Sequence, residues 1–272
     1  MHHVFVKKEQ LTKEGKVLRI TGEDFHHIVR VLRMKEGEEL TASVLAEYAA
    51  REEKAAAEYR FGIEEITEDS LICRLRFVKE ESRELPAQIT LLQCLPKSDK
   101  MELIVQKAVE LGVHEVIPVS ARRSVVRLED KKAEAKRGRW QKIAEAAAMQ
   151  SKRGIIPEIR PVQSVKDAIA AVAAYDLKLI PYELAAYEGM NRAQDAEGEA
   201  RSAMNRTREL MQGIRAGQRI AVFIGPEGGF EEAEVEQAKE AGFHAITLGK
   251  RILRTETAGP AVLAWLMFLL EE

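Results

Sequence analysis

The residues best placed to do chemistry lie between Val222 and Thr257, where two glycine turns follow each other closely. The first reads Gly225-Pro226-Glu227-Gly228-Gly229-Phe230, and the second Leu248-Gly249-Lys250-Arg251-Ile252-Leu253-Arg254-Thr255. Each follows a short apolar run and precedes a helix-prone one. Glycine lets backbone approach a ligand closely and present its N–H groups. Ligands of open α/β sheets bind outside the carboxyl ends of the strands, so the two turns predict one shared pocket that holds a cofactor. Neither GxGxxG nor GxxxxGK[ST] is present, which disfavours a nucleotide polyphosphate and weakens the reading of a dinucleotide-dependent oxidoreductase. Ile252 and Leu253 offer apolar surface to a cofactor, and Arg251 and Arg254 offer cations to an anion. Taken alone, each turn also reads as a plain strand-to-helix connection, with Glu231 and Glu232 in the first turn of one helix and Thr255 or Thr257 capping the other.

The elements that must hold these turns alternate in type. The wholly uncharged run Ala87–Pro96 reads as a buried strand. Then come a helix over Met101–Leu111 closed by Gly112, a strand over Glu115–Val119, and helices over Ala133–Gln150 and Val165–Ala174. A strand over Leu177–Pro181, a long helix over Ala193–Ile214 stopped by Gly217, and a strand over Arg219–Ile224 lead into the first turn. Such alternation predicts an α/β layer with a mainly parallel sheet. The segment before it differs: Val4–Val6, Val17–Ile20, Glu39–Val44 and Leu71–Phe77 are short and strand-like, as in a small β-barrel. Between them a short basic helix places Ile28, Val31 and Leu32 on one face and Arg30 and Arg33 on another. Ala49–Arg60 is helix-prone by composition. The charge-rich stretch 80–86 reads as a linker, dividing the chain into domains 1–80 and 87–272.

Composition narrows the class. With 46% apolar residues the chain can build sizeable cores. The apolar run Ala261–Leu270 is about half of the roughly 20 residues that a membrane span needs. No secretory signal is evident at the N-terminus, so a cytoplasmic protein is expected. Cys73 and Cys94 lack any metal-ligand spacing, and neither a disulfide framework nor a metal site is predicted. The formal net charge of −2 hides an uneven distribution: residues 97–160 carry 15 Lys/Arg against 9 Asp/Glu, whereas residues 161–272 carry 12 against 17. A basic middle between acidic flanks suits either phosphates or a solvated helical face.

These motifs together carry a resemblance. Ile224–Phe230 and Leu248–Ala258 are similar to the two cofactor loops of the knotted SPOUT methyltransferases, and specifically of the RsmE family, which methylates N3 of a uridine in small-subunit ribosomal RNA. Lys97-Ser98-Asp99-Lys100 through Val113 resembles that family's first catalytic-domain helix, Arg122–Val126 its basic loop, and Arg139–Arg153 its next helix. His26–Arg33 is similar to its RNA-binding, PUA-like N-terminal barrel. The resemblance implies a trefoil-knotted α/β domain, S-adenosylmethionine as methyl donor, no metal, and a homodimer acting on 16S RNA, in the assembled 30S subunit. By motif position it assigns donor contact to Pro181, Tyr182, Glu183, Gly225, Glu227, Gly228, Leu248, Gly249, Ile252, Leu253 and Thr255. RNA contact falls to His27, Arg30, Arg33, Arg122, Arg123, Arg127, Lys152 and Arg153, and such phosphate contacts weaken steeply with salt. Residues 45–60 depart from the family's glycine-containing hairpin.

For N3 of uracil to attack a sulfonium methyl group, the imide proton must leave or the developing negative charge must be stabilised. Arg254 is placed to hold a substrate phosphate or a uracil oxygen, and Glu227 or Glu256 to take the proton. Two alternatives accompany this reading: a SPOUT enzyme acting on a ribose 2′-oxygen of transfer RNA, and a non-enzymatic RNA-binding or ribosome-assembly protein.

Overall fold

Alternating burial along short strands builds the N-terminal part of the chain. The computed structural model describes residues 2–12, 15–45, 58–79, 83–182 and 196–271. These divide into two compact units, Met1–Glu84 with Ala148–Ile156, and Leu85–Ala147 with Pro157–Glu272. In the first unit, β1 (His2–Lys7), β2 (Leu11–Thr12), β3 (Val17–Thr21), β4 (Glu39–Leu45), β5 (Glu58–Ile66) and β6 (Ser70–Lys79) form one sheet. Its order is β1-β4-β5-β6-β3-β2. Only the β1–β4 pairing is parallel. Val4 and Val6, Leu18 and Ile20, and Leu71 and Cys73 recur at alternate positions and are buried together, as the two-residue period of a half-buried sheet requires.

Two expectations for this unit change. Composition makes Ala49–Arg60 helix-prone, yet Glu58–Arg60 open the strand β5, and the rest of that segment lies outside the described residues. Pairing overrides propensity there: Phe61 sits opposite Leu40 and both are fully buried. The basic helix is α1 (Gly22–His26) followed by a π-turn over His27–Val31. The wider π-turn rotates the chain, so Phe25 and Ile28 are buried while Val31 and Leu32 are 66% and 41% exposed.

The second unit is built on strands that are buried on both faces and read as continuous apolar runs, the pattern of a parallel sheet covered by helices. Its elements are β7 (Gln88–Cys94), α2 (Lys100–Glu110), β8 (Glu115–Ser120), α3 (Asp130–Gln150), β9 (Glu158–Ile159), β10 (Gln163–Ser164) and α4 (Val165–Ala171). β11 (Leu177–Pro181), α5 (Ala196–Gln212), β12 (Arg219–Ile224), α6 (Glu232–Glu240), β13 (His244–Ile246) and α7 (Thr255–Leu270) follow. The order is β10-β8-β7-β12-β11-β13, with β9 also on β8. Every pairing is parallel. Leu92, Ile117, Ile180 and Phe223 from its strands pack with Ile169 of α4 and Val235 of α6. Gly112, at φ +88°, ends α2: its N–H donates to Val109 O, and that of Val113 to Ala108 O. That pair of bonds needs a residue in the left-handed region. No helix among the described residues is long and apolar enough to cross a membrane. Cys73 and Cys94 are both free and buried; burial pushes the Cys73 thiol up to about 12.

Strand order matters most for function. Because β12, β11 and β13 are neighbours and parallel, their carboxyl ends at Ile224, Pro181 and Ile246 emerge side by side, with the end of β7 on the far side of β12.

Candidate active site at three strand ends

The first glycine turn leaves β12 and folds back through Phe230, whose ring packs edge-on against Phe223 at 4.8 Å. A Cβ on Gly225 would come within 3.1 Å of that ring. The second turn leaves β13. Gly249 has φ +105°, a region that side chains disfavour, and its N–H donates to Thr247 Oγ1 at 3.2 Å. The Thr247 N–H donates in turn to Thr207 Oγ1 on α5 at 3.1 Å, anchoring the loop. At the third strand end, the Tyr182 N–H donates to Ile246 O at 3.1 Å and its ring packs on the apolar cluster. Pro181 and Tyr182 are half-buried beside it, and Glu183 lies outside the described residues.

The two glycine turns are tied together. Thr255 Oγ1 donates to Gly225 O at 2.7 Å and accepts from Gln93 Nε2 at 2.9 Å. The expected capping role of Thr255 or Thr257 is therefore not what the structure has: Arg254 is the N-cap residue of α7, and the Thr255 hydroxyl reaches across to the neighbouring turn. A second link lies nearer solvent. Lys100 Nζ donates to Glu227 Oε1 at 3.2 Å and to Glu256 Oε2 at 3.1 Å. The Glu227 carboxylate also accepts the Lys97 N–H at 3.0 Å. Partial burial pushes the Glu227 pKa up, but the hydrogen bonds from Lys97 and Lys100 outweigh it and hold the group below the usual carboxylate range. A carboxylate so committed is a weak base; Glu227 fixes the first turn against the start of α2. Arg254 is exposed and has no ion pair among the described residues.

The basic loop packs on the first turn. A Cβ on Gly228 would meet Arg123 Cβ at 3.3 Å, and the Arg122 N–H donates to Glu234 Oε1 at 2.8 Å. Arg122 Nη1 lies 3.0 Å from Glu231 Oε2, with the arginine side chain 74% exposed. Exposed pairs of this kind contribute little, so the guanidinium is free to exchange its partner for a phosphate. Arg127 and Lys152 are exposed, as are His27, Arg30 and Arg33 on the first unit. Arg153 is not: it is 4% exposed and its guanidinium is paired with Glu84, whose carboxylate also accepts the Gly154 N–H. The expectation that Arg153 meets RNA phosphate is corrected accordingly.

The loop geometry suits a small cofactor. Among the described residues no protein acceptor takes the N–H of Leu248 or of Lys250 through Leu253, leaving that backbone available to a ligand. Leu248 and Leu253 are half-buried, Gly228 and Gly229 are exposed, and Ile252 stands 83% exposed at the rim. Sequence reasoning missed Lys100, Gln93, Thr247 and Thr207. Two of these carried a signal. Lys100 opens a helix, where the macrodipole disfavours a cation unless carboxylates hold it, and Gln93 is an amide directly after the apolar pair Leu91-Leu92 of an uncharged strand.

A family model described as an RNA methyltransferase domain matches residues 83–267, and one described as an RNA methyltransferase PUA domain matches residues 20–44. The chain is 36% identical to the ribosomal RNA small subunit methyltransferase E of Bacillus subtilis (strain 168), across 95% of this chain and 93% of that one. It belongs to the ribosomal RNA small subunit methyltransferase E family. The methyltransferase E of Neisseria gonorrhoeae, solved bound to S-adenosylmethionine, is similar at TM-score 0.74 and 27% identity, covering 99% of this chain and 98% of that one. A methyltransferase of Legionella pneumophila, solved in complex with the same cofactor, gives TM-score 0.74 and 28% identity over 98% and 96% of the two chains. As a methyltransferase E, the chain has a SPOUT-type α/β second unit and a PUA-like first unit.

Proposed function

We propose that this methyltransferase E transfers the methyl group of S-adenosylmethionine to N3 of a uridine in small-subunit (16S) ribosomal RNA. One observation carries the reading: three parallel strand ends bring Pro181, Gly225 and Gly249 to one edge, and a hydroxyl bridge from Thr255 to Gly225 ties two of the turns with Arg254 at their rim. S-adenosylmethionine, when bound, supplies an electrophilic methyl group on a sulfonium. The chain's own residues do the rest. Backbone groups of Leu248 to Leu253 and of Gly225 to Gly228 hold and orient the donor, so that attack becomes a matter of positioning. Arg254, at the start of α7 where the helix dipole adds positive potential, holds a substrate phosphate or the uracil oxygen on which negative charge develops as N3 loses its proton. Glu256, bound on one oxygen by Lys100, is the better placed of the two carboxylates to take that proton, since Glu227 is committed to Lys97 and Lys100.

Arg122, Arg123, Arg127 and Lys152 serve the RNA backbone, with His27, Arg30 and Arg33 on the PUA-like unit and the 30S subunit as substrate. The enzyme acts in the cytoplasm, its SPOUT unit is knotted as a trefoil, and it works as a homodimer. Support for the dimer comes from apolar surface on two helices packed against each other: Leu103 on α2 is 47% exposed and Phe268 on α7 is 69% exposed. Sedimentation at twice the chain mass of 30.6 kDa is expected, and sedimentation as a monomer contradicts this part of the proposal. Nucleoside mass spectrometry of treated small subunits tests the reaction itself and separates methylation of a base from that of a ribose.

A further inference from the structure

Gln93 is fully buried on β7, yet its Oε1 has no hydrogen-bond partner among the described residues. Reversing the amide does not help, because Nε2 donates to the Cys94 carbonyl at 3.0 Å, where an oxygen would face another acceptor. Its surroundings are apolar and close: a Cβ on Gly259 of α7 would lie 3.6 Å from Oε1, 3.7 Å from Ile224 Cγ1 and 3.8 Å from Leu91 Cδ1. A leucine or methionine fills this space without stranding a polar atom, and a buried unpaired acceptor lowers stability. Something other than stability therefore calls for the amide, and its remaining bond says what. A hydroxyl has one proton to donate and two lone pairs to accept with. By filling a lone pair of Thr255 Oγ1 at 2.9 Å, Gln93 leaves the hydroxyl proton directed at Gly225 O, 2.7 Å away.

We infer that Gln93 is a positioning residue for the methyl-donor site: it orients the Thr255 hydroxyl and thereby locks the exit of the second glycine turn to the entrance of the first. Its contact is with Thr255, and it acts on the donor only through the two turns. The inference rests on the proposal that these turns bind S-adenosylmethionine. It assigns Thr255 a shared duty, with its hydroxyl serving the partner turn instead of the ligand.

The test uses the full-length chain, S-adenosylmethionine as probe, calorimetric titration for affinity, and the melting temperature without ligand. Gln93→Met and Thr255→Val are each expected to weaken donor binding about tenfold, the scale of one well-placed hydrogen bond. Gln93→Met should melt at or above the wild-type temperature, because it removes the stranded oxygen. Thr255→Ser, which keeps the hydroxyl, should bind within about threefold of wild type. The double variant Gln93→Met/Thr255→Val should bind no more than about twofold worse than the weaker single variant, since both substitutions break one chain of bonds. Wild-type affinity in Gln93→Met, a loss of affinity matched by a lower melting temperature, or additive losses in the double variant would overturn the inference and leave the donor site standing. Failure of the wild-type chain to bind S-adenosylmethionine would overturn the donor site and this inference with it.

Discussion

Replacing Arg254 with alanine is expected to lower the methyl-transfer rate by about 10²–10³-fold, the usual cost of removing one donor aimed at developing charge. Binding of S-adenosylmethionine should change little. The structure separates the two effects: Arg254 is the N-cap residue of α7 and makes no ion pair among the described residues, while Glu256, two positions along the chain, and Glu227 are both engaged by Lys100. On the proposed reading, Lys100 keeps Arg254 available for the substrate by holding Glu256, two residues away. On the same reading Arg254 contacts RNA, whereas backbone groups of the two turns hold the donor. Single-turnover rates and donor titrations on the same preparation check this. A normal rate in Arg254→Ala removes the arginine from the mechanism; a lost rate with equally lost donor binding moves it into the donor pocket.

Arg153→Ala should destabilise the protein by about 3–5 kcal/mol, the cost of removing one partner of a buried ion pair. The Arg153 and Glu84 side chains are 5% and 11% exposed. The Glu84 carboxylate also accepts the Gly154 N–H at 2.9 Å, and removing the guanidinium takes a charged partner from a largely buried carboxylate. The paired change Glu84→Leu/Arg153→Met should recover most of the loss, because an apolar pair of similar volume is often as stable as a buried ion pair. Denaturant unfolding of the three chains measures this, and a single-variant loss below about 1 kcal/mol contradicts the buried-pair account. The contrast with Arg122 is instructive. That arginine is also paired, with Glu231, but at 74% exposure its removal should change stability by less than about 1 kcal/mol.

The α/β half of the molecule was legible because its signals are local. The uncharged run at 87–96, the glycines at 112 and 217, and the strand-like run at 219–224 mark elements whose ends the structure places within a residue or two of the expected positions. The two glycine turns were legible for the same reason. What could not be read depends on partners far apart in sequence. Strand β5 follows a helix-prone stretch and becomes a strand only by pairing with β4 and β6. The π-turn that exposes Val31 and Leu32 obeys the same apolar spacing as an α-helix until the backbone is seen. Arg153 reads as a surface cation because its partner, Glu84, lies 69 positions away. Lys100 joins Glu227 and Glu256 across separations of 127 and 156, and no local pattern encodes that meeting.

The central claim is that this edge of the sheet delivers a methyl group to N3 of a uridine. It is tested most directly by incubating the chain and isotopically labelled S-adenosylmethionine with small ribosomal subunits from cells lacking the activity, then digesting the RNA and weighing its nucleosides. The account predicts one labelled uridine per subunit with the methyl group on the base. Label on a ribose, label on transfer RNA instead of the subunit, or no transfer by a chain that binds the donor would contradict it.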